Sequence, residues 1–127
     1  MGNRYARFLF GLFAALFAVC VVVQFYLAGM ALFADEGGWS PHANFAKMFE
    51  YLPLLMFILS FIGKIGGRLR WLSLGMFVLF IFQHLTVRVF NDTWVVASLH
   101  PVSGLLIAWA SIHVAWKVRE WLVLSGK

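Results

Sequence analysis

Four apolar runs, each about 20 residues or longer, take up almost the whole chain. Each is long enough to cross roughly 30 Å of hydrocarbon as a helix. They run from Phe8 to Phe33, about Asn44 to Gly63, Trp71 to Phe90 and Ala97 to Trp116. A soluble domain of 127 residues, 63% hydrophobic and only 12% charged, has no way to hide that much apolar surface. No run alternates with a period of two, and isolated strands cannot satisfy their backbones in lipid. Short connections then predict an all-α, integral membrane four-helix bundle, up-down-up-down, forming a single domain.

The net charge of +5 comes from residues at helix ends rather than from a basic stripe, which argues against nucleic-acid binding. Arg4 and Arg7 precede the first run. Lys64, Arg68 and Arg70 fill the second connection, and Lys117, Arg119 and Lys127 follow the last run. The first connection carries Asp35 and Glu36 instead, and the third has Asp92 beyond Arg88. The positive-inside rule then predicts that both termini and the second connection face the cytoplasm. Trp39, Trp71, Trp94, Trp116 and Trp121 fall near span ends, as interfacial anchors do. The first run, with its basic lead-in, is signal-like but too long for an h-region, and is expected to be retained. Cys20 is the only cysteine, which excludes an intrachain disulfide, a cysteine-rich zinc site and covalent c-type haem.

Three of the four histidines fall at one depth. His42 and His100 open the second and fourth spans, beside Pro41 and Pro101, which a first helical turn tolerates. Ser40 and Ser98 suit N-caps. His84 lies about 9 Å inward from the end of the third span. Gln24 precedes His42 by eighteen residues and Gln83 precedes His100 by seventeen, so the two hairpins look like a weak repeat. Repeats of equal topology are related by an axis along the membrane normal, which places His42 and His100 on opposite sides of a central cavity. Two axial imidazoles on haem iron need that arrangement. Ala46 and Gly104, each four residues beyond a histidine, would leave room for a porphyrin, as would Gly29; small residues equally serve close helix packing. Arg88, one turn above His84, and Lys47 are candidate partners for a propionate. His84 is an alternative ligand. His113 lies about 20 Å deeper than His100 and roughly 140° away in phase, so a second haem is not expected. It reads instead as an interface histidine bonded to a neighbour or to water. Glu50, costly within a span, is expected to pair with Lys47.

The Gln24-Phe25-x-x-Ala28-Gly29 stretch, the His42 entry and Leu99-His100-Pro101-Val102-x-Gly104 resemble an uncharacterised family of small bacterial four-helix membrane proteins. More distantly, the layout is similar to one half of haem A synthase or to a small membrane b-type cytochrome. That resemblance implies ligand roles for His42 and His100. Ala43 stands where the synthase often has arginine, so synthase activity is not implied.

The leading expectation is a haem b protein of the bacterial cytoplasmic membrane, an electron carrier or redox sensor rather than a self-contained enzyme. Its partners would be the bilayer, a second copy or larger membrane complex, and a quinone or redox protein. A copper or zinc site using His42, His84 and His100 near Asp35 or Glu36 is one alternative. An accessory or assembly subunit without cofactor is the other. No hydrolase triad, phosphate loop or nucleotide fingerprint occurs.

Overall fold

The computed structural model describes residues 3–34 and 37–125. Helix α1 covers Arg4–Phe33, α2 Ser40–Phe49, α3 Leu52–Ile62, α4 Gly67–Arg88, α5 Trp94–Ala97 and α6 Leu99–Ser125. Four stretches are long and apolar enough to cross a membrane: Arg4–Phe33, Ser40–Ile62, Gly67–Arg88 and Trp94–Trp121. The chain is therefore all-helical, with the composition and helix lengths of an integral membrane protein. Asp35, Glu36 and Lys127 lie outside the described residues.

Helix α1 packs against α2, α3 and α6, while α4 packs against α3 and α6. The four spans thus form a ring in which α1 and α4 occupy one diagonal. The α2–α3 span and α6 occupy the other. Asn3 starts α1 by accepting hydrogen bonds from the backbone N–H groups of Tyr5 (2.9 Å) and Ala6 (3.2 Å). The second span is not one continuous helix. It turns at Glu50 and Tyr51, because Pro53 has no N–H and its ring crowds the carbonyl four residues back. Neither expected serine cap is used. Trp39 occupies the cap position of α2 without a side-chain bond, and Ser98 Oγ donates to Trp94 O at 2.7 Å, closing α5. Helices α1, α4 and α6 extend beyond their apolar runs into charged residues, since an amphiphilic end stays helical in the interface.

Phe17, Phe49 and Phe80, from three spans, meet edge-on with ring centres 5.7, 5.9 and 5.4 Å apart. Phe10, Met56, Met76 and Val114 are fully buried around them. The outer faces carry large exposed apolar side chains such as Val22, Ile58, Val78 and Leu105, which suits lipid as solvent. Ser60, Ser73 and Ser111 are buried, yet each hydroxyl donates to a carbonyl of its own helix, so none of the three is stranded. Their small size lets the helices approach.

Phe17→Ala removes one side of the aromatic triad and is expected to cost about 3 kcal/mol, against about 0.5 kcal/mol or less for the exposed Phe8→Ala. Reversible unfolding in mixed micelles measures both.

Candidate functional site at the histidine end

Helices α1 and α4 both rise toward the end where α2 and α6 begin. Gln24 lies near the top of α1, and its amide Nε2 donates to the backbone carbonyl of His42 at 2.8 Å. The His42 ring answers: its Nδ1 lies 3.1 Å from the backbone carbonyl of Gln24. The second hairpin repeats the arrangement. Gln83 Nε2 donates to the His100 carbonyl at 2.9 Å, and His100 Nδ1 lies 3.3 Å from the Gln83 carbonyl. Each hairpin is therefore closed by a reciprocal glutamine–histidine clasp. The near-equal spacing in the sequence was its visible trace.

The clasp decides the tautomer. A backbone carbonyl only accepts, so His42 Nδ1 must carry the proton. At His100 the Thr86 hydroxyl lies 3.0 Å from Nδ1, but that hydroxyl donates to Gln83 O at 2.7 Å. Its oxygen is then left to accept, and His100 Nδ1 is again the donor. Both neutral rings consequently present a bare Nε2 lone pair, for which the described residues supply no hydrogen bond. The ring centres stand 6.3 Å apart at an interplanar angle of 59°. They belong to the two spans that face each other across the bundle.

His84 is not equivalent. Its Nε2 sits 2.6 Å from Glu50 Oε2, tying α4 to the turn between α2 and α3. The expected Glu50–Lys47 pair is thereby corrected: Glu50 turns inward to His84, and Lys47 is exposed. Among the described residues no three histidine, cysteine, aspartate or glutamate side chains gather closely enough to hold a metal ion. His84 thus stays apart from any shared centre with His42 and His100. Arg88 is exposed one turn above it.

The small residues divide. A Cβ on Gly104 would lie 3.2 Å from Gln83 Nε2 and 3.6 Å from Phe25, so this glycine makes room for the clasp rather than for a ligand. A Cβ on Gly29 would meet nothing within 4 Å. Ala46 packs against the core cluster. Gln24 Oε1 is buried without a partner among the described residues. His113 does not join the site. It stacks on Trp109 at the opposite end, with ring centres 5.5 Å apart, and none of the described residues hydrogen-bonds it.

Of the side chains at this end, His42 and His100 are the two that could serve together as imidazole ligands. A histidine ligand normally donates its other N–H to a carbonyl, as both rings do here. Those hydrogen bonds orient the rings before any ligand arrives. Sequence spacing suggested the paired histidines. It gave no sign of Thr86 as a partner or of the long-range Glu50–His84 contact.

Nitrogen-detected NMR of the ligand-free protein is expected to show Nδ1-protonated, Nε2-bare rings at His42 and His100. Replacing Gln24 or Gln83 with leucine removes the return bond and should cost about 1 kcal/mol each. Micelle unfolding reads that loss.

A family model matches residues 24–88, and the chain belongs to that family, DUF6220, a family of unknown function. The matched stretch holds one complete clasp, the His84–Glu50 pair and Gln83. No curated protein and no solved structure matches the chain, and the resemblance to haem A synthase or a membrane cytochrome finds no support from them.

Proposed function

Starting from membership of a family with no assigned activity, we propose that the chain holds a b-type haem between His42 and His100 and carries single electrons at that end of the bundle. The supporting observation is the pair of imidazoles from opposite spans, 6.3 Å between ring centres, each with its Nδ1 at a glutamine carbonyl. Haem iron held by His42 and His100 would supply one-electron redox chemistry.

The protein's own residues do the rest. The Gln24 and Gln83 carbonyls orient the imidazoles and raise their basicity as ligands. Phe17, Phe49 and Phe80 close the bundle beneath them and keep water from entering below. Gly29 leaves open space on α1. The exposed Arg88 and Lys47 are the cations available for carboxylate groups at the surface. His84, held by Glu50, stays out of the ligand pair and offers a proton-handling group beside it. The charge distribution supports an orientation with the clasps on the outer side of a bacterial cytoplasmic membrane and both termini in the cytoplasm. A quinone or a redox protein is the fitting electron partner.

The full chain, expressed with ample haem and purified in detergent, is expected to show a Soret band and sharp low-spin bands on reduction with dithionite. His42→Ala and His100→Ala should each abolish the low-spin spectrum, while His84→Ala should keep it. Absence of bound haem in the unaltered chain would sink the reading.

A further inference from the structure

The opposite end of the bundle carries a pocket of about 510 Å³ that the histidine site does not use. Arg7, Lys64, Arg68, His113 and Lys117 line it, from three spans and the connection between α3 and α4. Lys117 is occupied, since its Nζ meets Glu120 at 2.9 Å. The Arg7 guanidinium lies 4.0 Å over the Trp121 ring, and its Nε is buried without a hydrogen-bond partner among the described residues. Arg68 and Lys64 also make no ion pair among the described residues. Arg70, by contrast, is spent on Ser60 at 3.0 Å and on the face of Phe61. The start of α4, with Gly66 in the cap position and no side-chain cap, borders the same space. Its first N–H groups add partial positive charge.

Lys64 adds an independent sign. Its φ of 51° is in the left-handed region, the only non-glycine residue among the described ones to adopt it. A side chain there costs roughly 1–2 kcal/mol relative to the usual conformation. Glycines stand on either side, at Gly63 and Gly66, yet this position is a lysine facing the pocket.

The apolar part of the wall indicates the rest of the ligand. Ile65, Leu69 and Trp121 line the pocket beside the cations. A second groove of about 280 Å³, lined by Trp109, Ile112, His113 and Trp116, shares His113 with it. That groove runs up the outer face of α6 toward the middle of the span. A cationic recess at the membrane boundary, continued by an apolar groove along the lipid-facing surface, matches a headgroup with its acyl chain.

We propose that this end is a specific binding site for an anionic phospholipid. The phosphate would sit among Arg7, Lys64, Arg68 and the start of α4, and an acyl chain would follow the Trp109–Trp116 groove. The site is independent of the haem reading and survives its failure.

Native mass spectrometry of the full chain tests it, with phosphatidylglycerol, phosphatidylcholine of the same acyl chains, and inorganic phosphate as probes. One phosphatidylglycerol per chain is expected to be retained in preference to phosphatidylcholine. Lys64→Gly suits the left-handed backbone and keeps the fold, and Arg68→Gln changes an exposed residue in the first turn of α4. Each should weaken retention about fivefold, the worth of one basic residue near an anionic membrane surface. Trp109→Ala should weaken phosphatidylglycerol binding with the cations intact. Equal retention of the two lipids, or indifference to the Lys64→Gly/Arg68→Gln double variant, overturns the proposal. Full displacement of the lipid by inorganic phosphate overturns the lipid assignment in favour of a soluble phosphate ligand. Unchanged helical circular dichroism in each variant separates loss of the site from loss of the fold.

Discussion

Hydrocarbon supplies no hydrogen-bond partner, so each polar group inside the bundle must find one within the protein. The glutamine–histidine clasps follow from that constraint. The side-chain amides of Gln24 and Gln83 are polar groups within the bundle, and they find acceptors in the carbonyls of His42 and His100 on the adjacent helix, each of which keeps a second lone pair beyond the helical ladder. In return the imidazoles bond to the glutamine carbonyls. One exchange per hairpin ties neighbouring spans at a fixed height and fixes two ring orientations. The closeness of the two rings accompanies this pairing of polar groups.

The clasps also show how far the internal repeat extends. It relates Gln24 to Gln83 and His42 to His100, and it fits the ring of four spans with α1 and α4 on one diagonal. It stops at the next residues. His84 follows Gln83, whereas Phe25 follows Gln24; Glu50 lies eight residues beyond His42, whereas Ala108 lies eight beyond His100. The His84–Glu50 bond therefore exists on one side only. On the other side Phe25 packs toward Gly104. The symmetric part of this end pairs two imidazoles, and the asymmetric part places one histidine–glutamate contact beside them.

The two ends have opposite characters. In the sequence, eight of the ten lysines and arginines fall near the terminal end, with Glu120 the only acid there. The histidine end carries the other acids and both clasps. Bilayer surfaces differ in charge, and a chain so divided presents a cationic end to one surface and a histidine-bearing end to the other.

Four apolar runs of membrane length left the fold class little freedom, because only helices satisfy their backbones in lipid. The glutamine–histidine spacings marked the paired site. Other features were invisible in one dimension. Serine at a helix start reads as a cap, but Ser98 finds a closer carbonyl four residues back. Glu50 and Lys47 share a helix face, but His84 on another span offers the carboxylate a shielded partner, whereas Lys47 gains more by staying in water. The basic pocket needs α1, α4 and α6 to meet at one end, and their residues are scattered from Arg7 to Trp121. The sequence by itself determined that the chain is helical, lipid-solvated and polarised in charge, since hydropathy and helix length are local properties. Only the tertiary structure decided which polar groups pair, because partners across a bundle are chosen by distance and angle rather than by separation along the chain.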